Sequence, residues 1–342
     1  MRILFSTHKF AFQHPGGGEV IILKSKEYLE KLGHTVDLFN PWIHKVRDYD
    51  IIHEFSLLDW QNWNTFIDSN IPFVLTPTSW PNINYTTRKI VQIKSNIKKS
   101  YNNLRIPNTL YHKMKYPNLI LPTTNLEKER IKSHYNITDD LKFKVVNNGI
   151  DIIDIEKIDL KLFNDKYGST PYLLYVGSIS RNKNTEVAIK IANELRIKLF
   201  IIGEQLAGNT SYFQKCKSYE SDNIIFLGRL EHNSPMLISA MANASCLLVP
   251  SDFETCSLVG LEAMSIGTPI CITEFGGTKE IFKNHATYIN PSSMESCVKN
   301  IKICLSKDKS SAKLKSFIDE NYSWEKIASK LSSIYRELKH IC

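Results

Sequence analysis

Two glutamates separated by seven residues, Glu254 and Glu262, stand in the stretch PSDFETCSLVGLEAMSIG (250–267), where a polar loop gives way to an apolar, helix-forming run. A helix that starts near Ser257 carries Glu262 about a turn and a half inside it and leaves Glu254 in the preceding loop. One carboxylate then faces a substrate. The other lies along the helix, where a carboxylate can accept two hydrogen bonds from a ribose diol. Ser257 is a suitable N-cap, and the open amides at Ser257, Leu258 and Val259 offer a seat for a diphosphate.

A second group lies near the N-terminus. Residues 14–19 read HPGGGE between a strand-like run and a helical pattern expected over Val20–Leu32. Gly17 and Gly18 allow close backbone approach to a phosphate or a sugar, and the helix start adds its dipole. A plain flexible turn is the alternative; a P-loop is excluded because G-K-[ST] is missing. His53 ends the run DIIHEF (50–55) and could hydrogen-bond an acceptor or move a proton, whereas a satisfied structural histidine is the other reading. Asp48-Tyr49-Asp50 is formally D-x-D but precedes a strand, so it reads as a polar loop and no metal site is expected. Trp60, Trp63 and Trp80 could stack on sugar faces or fill a core.

Charge is unevenly spread. The net charge is +8, and no Asp or Glu occurs from Ile71 to Leu126, while Arg88, Lys89, Lys94, Lys98, Lys99, Arg105, Lys113 and Lys115 all fall there. Ile90, Ile93, Ile97, Tyr101 and Leu104 form one apolar stripe of a helix in that window. Residues 88–115 therefore suit an anionic membrane surface or a phosphorylated lipid-linked acceptor, or else make a solvated helix whose stripe faces a sheet. No nucleic-acid reading motif accompanies the basic residues, and nucleic acid is not an expected partner.

The elements that must hold these residues alternate between short β-rich runs and longer amphipathic ones. Runs at Arg2–Ser6, Thr35–Asn40, Asp50–Phe55, Phe73–Pro77, Leu119–Thr124 and Lys142–Asn148 predict strands, and a second series follows from YLLYVG (172–177) to ATYIN (286–290). Near-continuous Ile, Leu and Val in short strands is what a parallel sheet covered on both faces requires. The fold class is α/β, with two Rossmann-like doubly wound domains, a cleft between them and a closing helix. The first domain is expected over 1–165 and the second over 170–320, with Ile152–Pro171 read as a linker. A terminal helix over 321–342, with Ser323 as N-cap and Trp324, Ile327, Leu331, Ile334 and Leu338 on one face, is expected to pack back toward the first domain.

Composition agrees with two ordinary domains: 342 residues, 42% hydrophobic and 23% charged, which leaves disorder and fibrous classes aside. The seven cysteines are odd in number and lack finger spacing, so neither a disulfide framework nor a structural zinc is expected. No apolar run approaches the ~20 residues of a bilayer span, and Met1–Ser6 has no signal-peptide pattern, so a cytoplasmic location is expected, with a peripheral place at the inner membrane face as its variant.

The stretch around Glu254 and Glu262 resembles the E-x7-E motif of the retaining GT-B glycosyltransferases of the GT4 group, also called glycosyltransferase group 1. Pro250-Ser251 and LEAMSIG (261–267) fit the same pattern. The resemblance covers nearly the whole chain. NGID (148–151) is similar to the family's strand end before the interdomain linker, and YVGSISRNK (175–183) to the first strand and phosphate loop of its donor domain. Gly276, Gly277 and Glu280 resemble the next cleft loop, and YSWEKIASKLSSIY (322–335) the terminal helix.

By this resemblance Glu262 holds the ribose hydroxyls of a nucleotide sugar, Glu254 contacts sugar hydroxyls near the anomeric carbon, and Lys183 pairs with the diphosphate. A lysine at the end of a βα loop also makes independent sense, as a point charge that neutralises the leaving group. Gly177 opens the donor loop. Ser178 stands where the family usually has arginine, and Arg181 could substitute. Thr78 stands where many members carry histidine, so acceptor contacts would fall to His53, Thr78 and Trp80. The implied reaction moves a sugar from a nucleotide-sugar donor to a glycan or lipid-linked acceptor with retention, in cell-surface polysaccharide or glycolipid synthesis, with no metal or other cofactor. A nucleotide-sugar epimerase on the same architecture and a non-catalytic glycan- or lipid-binding derivative are the alternatives.

Overall fold

The computed structural model describes residues 1–13, 16–59, 63–77, 110–307 and 312–341. It divides into two compact units, Met1–Asn148 with Trp324–Cys342, and Gly149–Ser323.

The first unit holds β1 (Arg2–Ser6), β2 (Thr35–Leu38), β3 (Ile51–Glu54), β4 (Phe73–Leu75) and β5 (Leu119–Ile120) in one parallel sheet of order β2-β1-β3-β4-β5. Ile3, Leu4, Ile51, Ile52, Val74 and Leu75 have no exposed surface, as burial of both sheet faces demands. The order reverses direction between β1 and β3, so the loops that follow these strands diverge and leave a crevice at the carboxyl edge. The strand expected over Lys142–Asn148 does not form. Phe143 makes one bridge to Ile120, and Lys144 and Val146 donate to the carbonyls of Ile120 and Pro122. Pro122 has no N–H to return the bond, which stops both this ladder and β5.

The helix over Gly17–Lys31 starts three residues earlier than the sequence suggests, because Glu19 closes its first turn by accepting the Gly16 N–H at 2.7 Å. The terminal helix Trp324–Ile341 belongs to this unit. Its apolar face, Trp324, Ile327, Leu331, Ile334 and Leu338, shares a core with Ile3, Phe5, Ile22 and Leu29.

The second unit carries β6 (Tyr172–Val176), β7 (Lys198–Ile202), β8 (Ile224–Gly228), β9 (Cys246–Val249), β10 (Ile270–Thr273) and β11 (Thr287–Ile289), all parallel, in the order β11-β10-β9-β6-β7-β8. Alternate residues serve opposite layers: Leu174, Phe200 and Leu247 enter one core, Leu173, Leu199 and Leu248 the other. The segment expected as a linker is part of this unit. Phe163 is fully buried, packs edge-on to Phe200 at 4.9 Å, and donates its N–H to Ser239 Oγ at 2.9 Å, while Ile150 donates to Tyr322 O at 2.7 Å. The boundary accordingly falls at Asn148 rather than near residue 165.

Candidate active site

In the second sheet the direction of winding reverses between β6 and β9. Ligands of doubly wound sheets bind beyond the carboxyl ends of such a pair. The loop after β6 carries Lys183, and the loop after β9 carries Glu254. Their side chains meet: Lys183 Nζ donates to Glu254 Oε1 at 2.6 Å, and Ser251 Oγ donates to the same oxygen at 2.6 Å. Both bonds converge on Oε1, so Oε2 keeps capacity for a substrate hydroxyl. The Glu254 side chain is only 8% exposed, against 34% for Lys183, so the lysine supplies the solvent-facing half of the pair.

Local chemistry sets this geometry. Arg181–Lys183 forms one tight turn that ends at Asn184, whose φ of 51° is left-handed, a conformation asparagine tolerates. Asp252 ties the two loops together: its N–H donates to Asn182 O at 2.9 Å, and its carboxylate accepts Asn184 Nδ2 at 2.7 Å. On the far side the Glu254 backbone bridges the loop after β10, with Glu254 N–H donating to Phe275 O and Gly277 N–H to Glu254 O. Gly276 has φ +99°, and a Cβ there would lie 1.9 Å from Glu254 O, so only glycine lets the loops approach. Gly177 is likewise packed, its carbonyl oxygen 1.9 Å from where a Cβ of Gly203 would stand.

The helix after Glu254 runs over Leu258–Ser265, with Leu258 and Val259 in its first turn. Ser257 occupies the N-cap position but does not cap. Its φ of 54° is left-handed, its side chain makes no capping hydrogen bond, and the buried Oγ has no hydrogen-bond partner. A non-glycine residue held in this region next to a helix start stores backbone strain. Glu262 lies inside this helix, nearly buried, and its Oε1 is 2.8 Å from Nε2 of His232 in the loop after β8. Ser178 sits beside Gly177 and accepts the Tyr175 hydroxyl on its carbonyl at 2.8 Å. Arg181 is turned to the side, its guanidinium 5.4 Å from the Tyr212 ring centroid.

The first unit presents a cavity of about 220 Å³ at its own reversal point, whose lining mixes polar residues such as Thr7, His8, Glu19 and Ser56 with apolar ones such as Ile22 and Leu58. Gly18 also lines it. Gly16, Gly17 and Gly18 all keep right-handed or extended backbone, and a Cβ on Gly18 would meet nothing within 4 Å, so the helix itself does not require glycine there. His8 Nε2 stands 3.9 Å from Glu19 Oε1.

His53 is not at this cavity. It is completely buried in the core, its Nδ1 2.5 Å from Tyr335 Oη and its Nε2 2.8 Å from Thr76 Oγ1, with Phe55 stacked on its ring. Burial pushes its pKa down to about 3. The expectation of a direct acceptor contact at His53 therefore gives way to a structural histidine, placed by a strand whose two faces are both covered. Trp63 is core as well, edge-on to Phe73. Asp50 accepts the Arg2 N–H and Lys339 Nζ, so the D-x-D stretch is structural. Thr78, Trp80 and Trp60, and residues 88–109 of the basic window, lie outside the described residues. Among the described residues no helix is long and apolar enough to cross a membrane, and no His, Cys, Asp or Glu group gathers to hold a metal ion.

The sequence model of the family Glycosyl transferases group 1 matches residues 157–332, just over half of the chain. The chain belongs to this family. Its relatives match at low identity. An uncharacterized glycosyltransferase of Methanocaldococcus jannaschii is 28% identical over 229 residues, 61% of this chain and 57% of that protein. The D-inositol 3-phosphate glycosyltransferase of Paenarthrobacter aurescens is 24% identical over 243 residues, 64% of this chain and 57% of its own length. The chain thus spans little more than half the length of these relatives. Anabaena HepE, solved in complex with UDP-glucose, superposes with a TM-score of 0.74 at 15% identity over 98% of this chain and 100% of that one, which shows the GT-B fold of two Rossmann-like domains. The family match covers Lys183, Glu254 and Glu262. Sequence reasoning named Ser251 only as part of the flanking motif and gave no site role to it, to Asp252 or to His232.

Proposed function

We propose that the protein is a retaining glycosyltransferase of the GT4 type that moves a sugar from a nucleotide-sugar donor to a glycan or lipid-linked acceptor. The observation that carries the reading is the Lys183–Glu254 pair, held by loops from β6 and β9 on the two sides of the winding reversal and followed directly by a helix start. In this reading the diphosphate lies against the first amides of Leu258 and Val259, with the unpartnered Ser257 hydroxyl beside them, and Glu262 accepts the ribose hydroxyls. Lys183 supports the charge that grows on the leaving diphosphate, and Glu254 Oε2 holds a sugar hydroxyl near the reacting carbon. The acceptor attacks from the face the diphosphate leaves, and the departing phosphate oxygen takes the acceptor proton. No metal is invoked. The acceptor's polar end belongs at the cavity beside Glu19 in the first unit, whose mixed apolar and polar walls suit a sugar ring. HepE's capture of UDP-glucose supports a nucleotide-sugar donor for this chain too.

A panel of nucleotide sugars, read first by thermal stabilisation and then by product anomer in NMR, tests the proposal. A donor at about a hundred times its Kd adds ~2.7 kcal/mol of stability, an easily measured shift. A product with inverted configuration would end the retaining reading. Absence of both stabilisation and transfer across the panel would end the transferase reading.

A further inference from the structure

Among the described residues, the five most exposed large apolar side chains are Trp42 at 92%, Leu141 at 87%, Ile43 at 71%, Leu58 at 68% and Phe10 at 66%. Four of them share one place in the fold. Phe10 stands four residues beyond the end of β1, Trp42 four beyond β2 and Leu58 four beyond β3. These strands are neighbours in the order β2-β1-β3 and all run parallel, so the three loops emerge side by side at one edge, about 4.8 Å apart at their roots.

The exposure is built in. Asn40 Oδ1 accepts the Trp42 N–H at 3.0 Å, and Asn40 O accepts the amides of Ile43 and His44, a turn that directs both apolar side chains outward. Lys9 N–H donates to Asp59 Oδ2 at 2.7 Å, which locks the loops bearing Phe10 and Leu58 together. The exposed basic groups alongside are Lys9, Lys45 and Arg47; the acids of these loops are the exposed Asp48 next to Arg47 and the half-buried Asp59 next to Leu58. Lys9 Nζ lies 5.1 Å from the centre of the Phe10 ring.

We propose that these three loops dock the first unit on an anionic phospholipid bilayer, with Trp42, Ile43, Phe10 and Leu58 entering the headgroup region and Lys9, Lys45 and Arg47 meeting lipid phosphates. Single large apolar side chains on loop tips, led by tryptophan and interleaved with lysine and arginine, match the interfacial zone of a bilayer. A protein partner fits less well, because lysine is depleted at protein interfaces. None of these residues belongs to the window 88–115, Leu58 is shared with the cavity of the first unit, and the surface does not depend on the donor chemistry.

The test is sedimentation of the full chain with phosphatidylcholine vesicles, with and without phosphatidylglycerol. The chain is expected to bind the anionic vesicles, less as salt rises. The pair Trp42→Ala and Ile43→Ala should weaken binding about tenfold or more, since two interfacial side chains are lost. Lys45→Glu with Arg47→Glu should weaken binding to anionic vesicles, and Leu141→Ala, an equally exposed site elsewhere, should leave it unchanged. Melting temperatures should match the parent throughout, because all these side chains are exposed. The proposal is overturned if the parent does not bind, if the Trp42/Ile43 variant binds like the parent, or if Leu141→Ala weakens binding as much. Light scattering that shows a dimer dissolved by the Trp42/Ile43 change would reassign the surface to a second copy of the chain.

Discussion

Removal of Lys183 should have two effects that a double-mutant cycle separates. Lys183→Ala leaves the Glu254 carboxylate, 8% exposed, with the Ser251 hydroxyl as its remaining donor on Oε1. A hydrogen bond to a charged group contributes ~1.5–3 kcal/mol, and the lysine's 34% exposure argues for the lower end, ~1.5 kcal/mol. In a unit of this size each kcal/mol moves the melting point by ~2–4 °C, so a drop of roughly 3–6 °C is expected. Turnover should fall much further, by ~10²–10³, the usual effect of deleting a preorganised charge that stabilises a leaving group. Glu254→Ala alone also strands a charge. Because each single change strands one charge and the double strands none, Lys183→Ala/Glu254→Ala should melt above the sum of the singles by ~1 kcal/mol or more, while turnover is not regained. Scanning calorimetry and steady-state kinetics on the four proteins decide it. Strict additivity in stability would refute the pairing as an energetic unit, and near-parent turnover of Lys183→Ala would remove it from the chemistry.

Three further outcomes follow from the same geometry. Ser257→Ala deletes a buried hydroxyl without a partner, so the melting point should hold or rise while nucleoside diphosphate affinity in calorimetry drops about tenfold; a lower melting point at unchanged affinity would make Ser257 structural. Glu262→Ala should weaken that affinity by ~1–3 kcal/mol and His232→Ala by less, with the double variant no worse than Glu262→Ala alone if the histidine acts only by orienting the carboxylate. The third concerns pH. Burial raises the Glu54 carboxyl to about 8 from its ordinary 4.5, so the folded state holds the extra proton and stability falls as pH rises from 4.5 to 8. Burial lowers His53 from 6.5 to about 3, so the unfolded state holds the extra proton and stability falls as pH drops from 6.5 to 3. The slopes oppose each other between 4.5 and 6.5, where a flat melting curve is expected, and Glu54→Gln should remove the alkaline decline, at most ~1.4 kcal/mol per pH unit. An unchanged alkaline limb in that variant would place the titration elsewhere.

Much of this protein was legible in one dimension because its signals are local. The run YLLYVG must be buried on both faces, and a strand so composed belongs in a covered parallel sheet; the amphipathic stripe from Trp324 to Leu338 could only be a helix on a core. Gly276 and Gly277 marked, by resemblance, a cleft loop, and Glu254 and Glu262 marked a loop-to-helix junction. What stayed hidden depends on which strands become neighbours. Nothing in the spacing of Lys183 and Glu254, 71 residues apart, says that their side chains meet; that follows from β6 lying beside β9. The same dependence decided between the two readings of His53, because Thr76 and Tyr335, the latter 282 residues away, close over both its nitrogens. Ser257 looked like an N-cap, and only the folded structure, with its left-handed backbone there, shows that its hydroxyl caps nothing. Sequence determines which segments can be strand, helix or tight turn, because those preferences act over a few residues. Tertiary structure decides which polar atoms are left without partners, because that depends on every chain segment that packs around them.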